Sequence, residues 1–343
     1  MKTRITEMLG IEHPILLSGM SWISDAKLVA AVCEAGGMGI LATGILNPEE
    51  TRRAISEIRQ ATNKPFAANV TLYFPGSERN AKILIEEKVP VVNYSLGKGD
   101  WICKAVHGYG GKVIATVATL KHALAAQKDG ADALIVTGSE AAGHAGEISS
   151  LTLIPAVKEI VHIPIIAAGG FADGRGLVAA MVMGAEGISM GTRFMNSVES
   201  PVHEIQKKIC NEKDAFSTVF TDKVDGLGAR VMKSAGTTRL MKKRLNPFSA
   251  LIKSKEIARM LGFPWLKMAA GILFSGMKKA LMMARMANGF KAFELATLKG
   301  DNKRGVLPLG QVTGIIHETL TVKQIIDKTI SEAEEIKKQM AVS

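Results

Sequence analysis

Eight short apolar runs rich in β-branched residues punctuate the first 192 residues, with a segment of helical period between successive runs. The runs are PILLSG (14–19), MGILAT (38–43), PFAANV (65–70), VPVVNYSL (89–96), KVIATV (112–117), ADALIVTG (131–138), IPIIAAGG (163–170) and EGISMGT (186–192). Continuous apolar character over so few residues belongs to parallel strands covered on both faces. The intervening segments read as helices at 25–35, 48–60, 78–87, 101–109, 120–128, 152–160 and 174–183. The first of them puts Leu28, Val29, Val32 and Cys33 on one face, and the second opens with Asn47 as N-cap and Pro48 at the first helical position. Gly37, Gly110, Gly130 and Gly184 fall where these helices should stop. Strict β-α alternation over eight rounds predicts an α/β fold, a closed TIM (β/α)8 barrel with its function at the C-terminal ends of the strands. An open doubly wound sheet is the alternative; the even spacing and the number of runs favour closure.

Within that pattern, residues 163–194 stand out. Two successive strands each end at glycine, the first at Gly169-Gly170 and the second at Gly191-Thr192-Arg193. Glycine admits positive φ and close approach of a ligand to the backbone, and clustered N–H groups form an anion site. In a (β/α)8 barrel, a phosphate commonly sits at the loops after strands seven and eight. These two strands are predicted to be those.

After Arg193 the alternation stops, and residues 200–295 read as mostly helical. The chain's net charge is +11, yet 230–291 alone holds fourteen Lys and Arg against one acid, Glu256. Eight of the seventeen methionines fall between Met232 and Met286, and methionine suits adaptable apolar surfaces. Residues 269–277 are apolar but too short, between Lys267 and Lys278, to span a bilayer. From Gly305 the pattern returns to that of the barrel, with a last amphipathic helix from Val322. The expected division is a barrel (1–220), a basic, methionine-rich helical cap (221–296) and a C-terminal return (297–343). The N-terminus is too polar for a secretion signal, and three scattered cysteines, Cys33, Cys103 and Cys210, suit a reduced cytoplasmic compartment as buried, inert thiols.

The turn after strand six, TGSEAAGHAGE (137–147), sets His144 among small residues at the functional face, where an imidazole suits proton transfer. Glu140 has two equal readings, orienting that histidine or capping the loop. Strand one ends in Ser18-Gly19-Met20-Ser21, fit to pack against a flat ligand. Strand three ends in Asn69, whose buried amide needs partners, either a heterocycle edge or the neighbouring loop. No Walker loop, HExxH or Ser-His-Asp order is present, and no Cys or His cluster supports a metal.

Read together, SGM (18–20), EAGGMGIL (34–41), KPFAANVTL (64–72), EAAGHAGE (140–147), IPIIAAGGFADGRGL (163–177), MGTRF (190–194) and GVLPLGQVTGII (305–316) resemble the nitronate monooxygenase (2-nitropropane dioxygenase-like) flavoproteins. They are similar also to the related FMN-dependent enoyl-acyl-carrier-protein reductases and NADH:quinone reductases. The resemblance covers barrel and tail and is weak over 225–295. It implies non-covalent FMN with its phosphate at Gly169, Gly170, Gly191 and Thr192. It further implies a ring near Gly19, Met20 and Asn69, contacts from Gly143 and Ala168, and His144 over the reactive face. The implied activity is oxidation of alkyl nitronates by O2, with His144 as base or electrostatic partner. In the reductase alternative NAD(P)H is the electron donor, and His144 protonates or positions an enoyl thioester or a quinone. Two departures from the family pattern stand out. Leu17-Ser18 replaces the common Gln-Gly before Gly-Met, and Thr116 and Thr137 occupy positions where relatives carry Lys or Asp.

The basic segment is read either as a solvated face or as attraction for an acidic partner: an acyl carrier protein, a coenzyme A ester, a dinucleotide or an anionic membrane surface. A flavin-binding barrel that docks to membranes is the non-enzymatic reading; liposome sedimentation at low and high salt separates it. Nucleic acid fits less well, since aromatic residues for stacking are few there. A homodimer stays open.

Overall fold

The computed structural model describes residues 1–73, 77–243, 265–266 and 277–342. In chain order the barrel part runs α1 (Arg4–Leu9), β1 (Ile15–Leu17), α2 (Ala26–Glu34), β2 (Ile40–Ala42), α3 (Pro48–Ala61), β3 (Ala67–Thr71), α4 (Ser77–Glu86) and β4 (Val91–Ser95). It continues α5 (Asp100–His107), β5 (Lys112–Val117), α6 (Leu120–Asp129), β6 (Ala133–Thr137), β7 (Gly143–His144), α7 (Ser150–Ile160), β8 (Ile165–Ala168), α8 (Gly174–Val182), β9 (Ile188–Met190) and α9 (Thr192–Met195). There follow α10 (Glu204–Glu212), β10 (Thr218–Thr221), β11 (Ala229–Met232), α11 (Ala235–Lys242), α12 (Met277–Lys299), a 3-10 turn (Gln311–Ile315) and α13 (Val322–Val342).

Each of the eight apolar runs holds one barrel strand, with β3 running one residue past its run to Thr71. The strands pair in parallel in the order β1-β9-β8-β6-β5-β4-β3-β2. The ring closes through a parallel bridge between Leu16 and Met38, where Leu17 N donates to Met38 O at 2.9 Å and Met38 N to Ile15 O at 3.0 Å. Local chemistry sets the helix starts: Asn47 and Glu50 close a capping box at α3 ahead of Pro48, and Asp25, Thr119 and Asp173 cap α2, α6 and α8. At the end of α2 it is Gly36 (φ +86°), not Gly37, that turns left-handed. Gly37 is needed for space, since a Cβ there would lie 2.7 Å from Ile15 O.

Alternation along the strands sorts side chains into two cores. Leu16, Met38, Ile40, Ala67, Val91, Ile114, Ala133 and Ile166 fill the barrel interior, to which α1 adds Ile5 and Leu9. Ile15, Leu17, Leu41, Val92, Val113, Leu134 and Ile165 face outward onto the helices. Each such side chain, fully buried, contributes about 1.5–3 kcal/mol. The C-terminal helix α13 packs on α8, where Glu332 accepts from Gly174 N at 3.0 Å.

The structure departs from expectation in two linked places. Residues 200–295, expected to be mostly helical, include an antiparallel hairpin, β10 with β11, and the expected loop 137–147 contains β7, which pairs with β11 to make a three-stranded sheet. The hairpin rests on a core of its own: Val224, Val231, Leu240, Met286, Phe290, Phe293 and Val306, with Trp22 edge-on to Phe290 at 5.7 Å and 74°. Much of the basic, methionine-rich segment, including the apolar stretch 269–276, lies outside the described residues. Among the described residues no helix is long and apolar enough to cross a membrane.

Candidate functional site

Strands β8 and β9 are neighbours in register, Ala167 opposite Ile188 and Ala168 opposite Ser189. Their C-terminal ends therefore emerge side by side. Gly169 and Gly170 both take left-handed φ, +93° and +86°, and a Cβ on Gly169 would meet Gly138 O at 2.9 Å. Gly191 is the N-cap of the short α9 that begins at Thr192. Among the described residues, no group of the chain accepts from the N–H of Gly169, Gly170, Gly191 or Thr192. Four unengaged donors on two adjoining strand ends are an arrangement suited to an anion. The side chain of Thr192 faces the returning tail instead, its Oγ1 accepting from Gly310 N at 3.1 Å. The next residue, Arg193, is buried with Nη2 donating to Glu318 O at 3.1 Å, and burial pushes its pKa down.

The rest of the mouth is lined by β1, which adjoins β9, and by β3 to β5 across from them. Gly19 lies so close to β3 that a Cβ would fall 2.7 Å from the Asn69 Cβ, so this glycine is required for packing. One N–H of the Asn69 amide is already engaged within the barrel. Its Nδ2 donates to Asn93 Oδ1 at 2.6 Å, and Asn93 Nδ2 donates to Ile114 O at 2.9 Å and Thr116 Oγ1 at 3.0 Å. The three form a polar row across β3, β4 and β5, of which the sequence pattern marked Asn69 and Thr116 but not Asn93. Asn93 carried the same signal as Asn69, an amide inside an apolar strand. Met20 turns toward β9, with Sδ 3.5 Å from where a Gly191 Cβ would be, and Ser18 Oγ meets Ser189 Oγ at 2.8 Å.

His144 sits in β7, held by pairing with Ala229 of β11. Its Nε2 is 2.7 Å from Oδ2 of Asp225, a residue 81 positions away in the hairpin turn. The imidazole is 30% exposed and the carboxylate 2%. The other oxygen, Asp225 Oδ1, accepts from Leu227 N at 3.1 Å. A buried carboxylate needs such partners to offset a desolvation cost of several kcal/mol. Asp225 was not marked in the sequence, although the turn VDG between two β-prone runs (218–221 and 229–232) is a hairpin signal.

Glu140 does not reach His144. Both its carboxylate oxygens accept from Ser150 N at 3.0 Å, at the start of α7, whose N-cap Ser149 makes no side-chain cap. Of its two readings, capping is the observed one. The same loop is tied to the hairpin by Arg230, also unmarked, whose Nε donates to Ser139 O at 2.7 Å and Nη1 to Thr218 Oγ1 at 3.1 Å. Gly143 turns the loop with φ +68°. The glycine edge and the loop that carries His144 leave the C-terminal ends of β8, β9 and β6, where barrel enzymes act; the amide row lies within β3, β4 and β5, and Asp225 joins His144 from the hairpin turn.

The family model described as nitronate monooxygenase matches residues 2–80 and 75–332. A (3aS,4S,5R,7aS)-5-hydroxy-7a-methyl-1-oxo-octahydro-1H-indene-4-carboxyl-CoA dehydrogenase of Mycobacterium tuberculosis is 34% identical over 341 residues, 97% of this chain and 96% of its own. A probable nitronate monooxygenase of Staphylococcus aureus is 32% identical over 276 residues, 67% of this chain and 78% of its own. The solved structure of FabK from Thermotoga maritima superposes with a TM-score of 0.84 at 37% identity, over 99% of both chains. A nitroalkane oxidase from Streptomyces ansochromogenes, at 23% identity and a TM-score of 0.77, shares the fold.

Proposed function

We propose, on the premise that this chain belongs to the nitronate monooxygenase family and is an oxidoreductase, that it works with FMN and that the His144–Asp225 pair handles the proton of its reaction. The residues fit the cofactor. Four N–H groups without partners at Gly169, Gly170, Gly191 and Thr192 suit a phosphate, and Met20, Gly19 and the Asn69–Asn93–Thr116 row offer an apolar and a polar edge to a flat ring. Ala168 and Gly143 complete the lining. FMN, when bound, supplies exchange of electrons between a donor and an acceptor.

The observation that carries the reading is the 2.7 Å contact between His144 Nε2 and the buried Asp225 carboxylate. A carboxylate accepting from Nε2–H fixes that tautomer and leaves Nδ1 as the acceptor. Nδ1 can then take a proton from a substrate carbon acid, and Asp225 stabilises the imidazolium that results. Run in reverse, the imidazolium delivers the proton to the carbon next to the thioester carbonyl, while hydride is added at the neighbouring carbon of the double bond. His144 is the catalytic residue in either direction, and Asp225 positions it.

For the substrate we favour an acyl thioester, reduced as a 2-enoyl group at the expense of NAD(P)H. Relatives aligned over essentially the whole chain comprise a dehydrogenase whose named substrate is a coenzyme A ester. The exposed Lys233, Arg239 and Lys242 beside the hairpin suit the phosphates of such a carrier. Oxidation of alkyl nitronates by O2 is the second reading, favoured by the family description and by the Staphylococcus aureus relative. Anaerobic mixing of the yellow protein with NADH, NADPH and propyl-2-nitronate separates them. Bleaching by a nicotinamide followed by reoxidation with a 2-enoyl-CoA supports the first; bleaching by nitronate alone selects the second. A bound flavin that none of the three reduces overturns both.

A further inference from the structure

Gly289 lies in α12, on the helix that carries the end of the basic, methionine-rich segment. Glycine is a poor choice for a helix interior, and α12 does not use it for a left-handed turn. It uses the space. A Cβ at this position would lie 2.5 Å from Asp225 Cβ, 3.1 Å from Asp225 Cα and 3.1 Å from Val224 O. Carbon atoms in contact sit about 3.5–4.0 Å apart. The obstructing atoms belong to the backbone and Cβ of the hairpin turn, so no change of rotamer clears them.

The neighbours of Gly289 fix the helix against its surroundings. Asn288 is buried and its Oδ1 accepts from Lys243 Nζ at 3.2 Å. Phe290 is buried against Trp22, in the β1 loop two residues after Met20. From α12 the contacts run to Asp225 and from Asp225 to His144, with 2.7 Å between the last two. We infer that Gly289 is a positioning residue, whose missing side chain seats the 222–228 turn so that Asp225 meets His144. The inference rests on the proton-handling reading of that pair and extends it: the placement of α12 sets the geometry of the catalytic histidine.

The test uses the full, flavin-loaded chain with ¹⁵N-labelled histidine. Wild type should show a downfield N–H resonance for the carboxylate-bonded imidazole, to be assigned by its absence in His144→Gln. Gly289→Ala is expected to lose or shift that resonance while staying yellow. With whichever of NADH, NADPH or propyl-2-nitronate reduces the wild-type flavin, its turnover should fall about 100-fold, the scale of a displacement of about 1 Å, at a KM within about twofold. Combined with Asp225→Asn, the alanine should cost nothing further. An unchanged resonance in Gly289→Ala, or full additivity of the two substitutions, overturns the inference. If Asp225→Asn itself turns over like wild type, the proton-handling reading falls instead. Should Gly289→Ala fail to fold, the size swap Gly289→Ala/Asp225→Gly decides. A swap that folds and binds flavin supports the contact; a swap no more stable than the single variant refutes it.

Discussion

The two halves of the candidate site are built in opposite ways. The glycine edge comes from two consecutive barrel strands, β8 and β9, and from the backbone alone; the strand ladder that makes the barrel also makes the edge. The His144–Asp225 pair comes from a two-residue strand and a hairpin turn 81 positions apart, both outside the barrel, and a small separate core supports the hairpin. A site made this way divides its labour. Substitutions in the barrel edge should cost the cofactor, whereas substitutions in the hairpin and its helix should leave the cofactor in place and cost turnover.

The largest expected effect is at the edge. Gly170→Val forces a β-branched residue into φ +86°, strained by roughly 1–2 kcal/mol or more, over the proposed phosphate position. The variant should purify colourless; a yellow product puts the phosphate elsewhere and erases the contrast. Next comes His144→Ala, expected to stay yellow while turnover drops by about 10²- to 10⁴-fold, the usual worth of a general acid–base group. Unchanged steady-state rates remove His144 from the mechanism. Asn69→Ala sits between the halves. It removes the donor to Asn93 Oδ1 and leaves a buried amide short of a partner, at about 1–3 kcal/mol. A lower Tm with flavin retained is expected, and a Tm equal to wild type contradicts the role of the row.

The smallest effect should be on the thiols. Burial pushes Cys33 up to about 11 and Cys103 and Cys210 up to about 12, from an ordinary 9.0. They stay protonated at pH 8 in the native protein and should resist a thiol reagent there. Because their folded pKa values are raised, the stability they add is complete below about pH 9 and is lost as pH climbs through 11 to 12. A native thiol that reacts within the dead time of mixing contradicts this.

The barrel was legible because parallel strands covered on both faces leave an unbroken apolar signature, and the cap at Asn47 ahead of Pro48 is local chemistry. The paired glycines were legible for the same reason. Glu140 was not resolvable in advance, since only the fold shows Ser150 N within its reach. Asp225 was hidden because its partner is fixed by strand pairing between distant segments, and four-residue strands in a polar stretch leave a faint pattern. Gly289 was hidden more deeply, for a helical glycine announces neither what approaches it nor from where.

One measurement reaches the centre of this account: a crystal structure of the chain purified with its flavin. The account predicts the FMN phosphate within about 2.7–3.2 Å of the N–H groups of Gly169, Gly170, Gly191 and Thr192, with the ring between Met20 and His144. A phosphate bound away from those four donors, or a ring remote from His144, contradicts it.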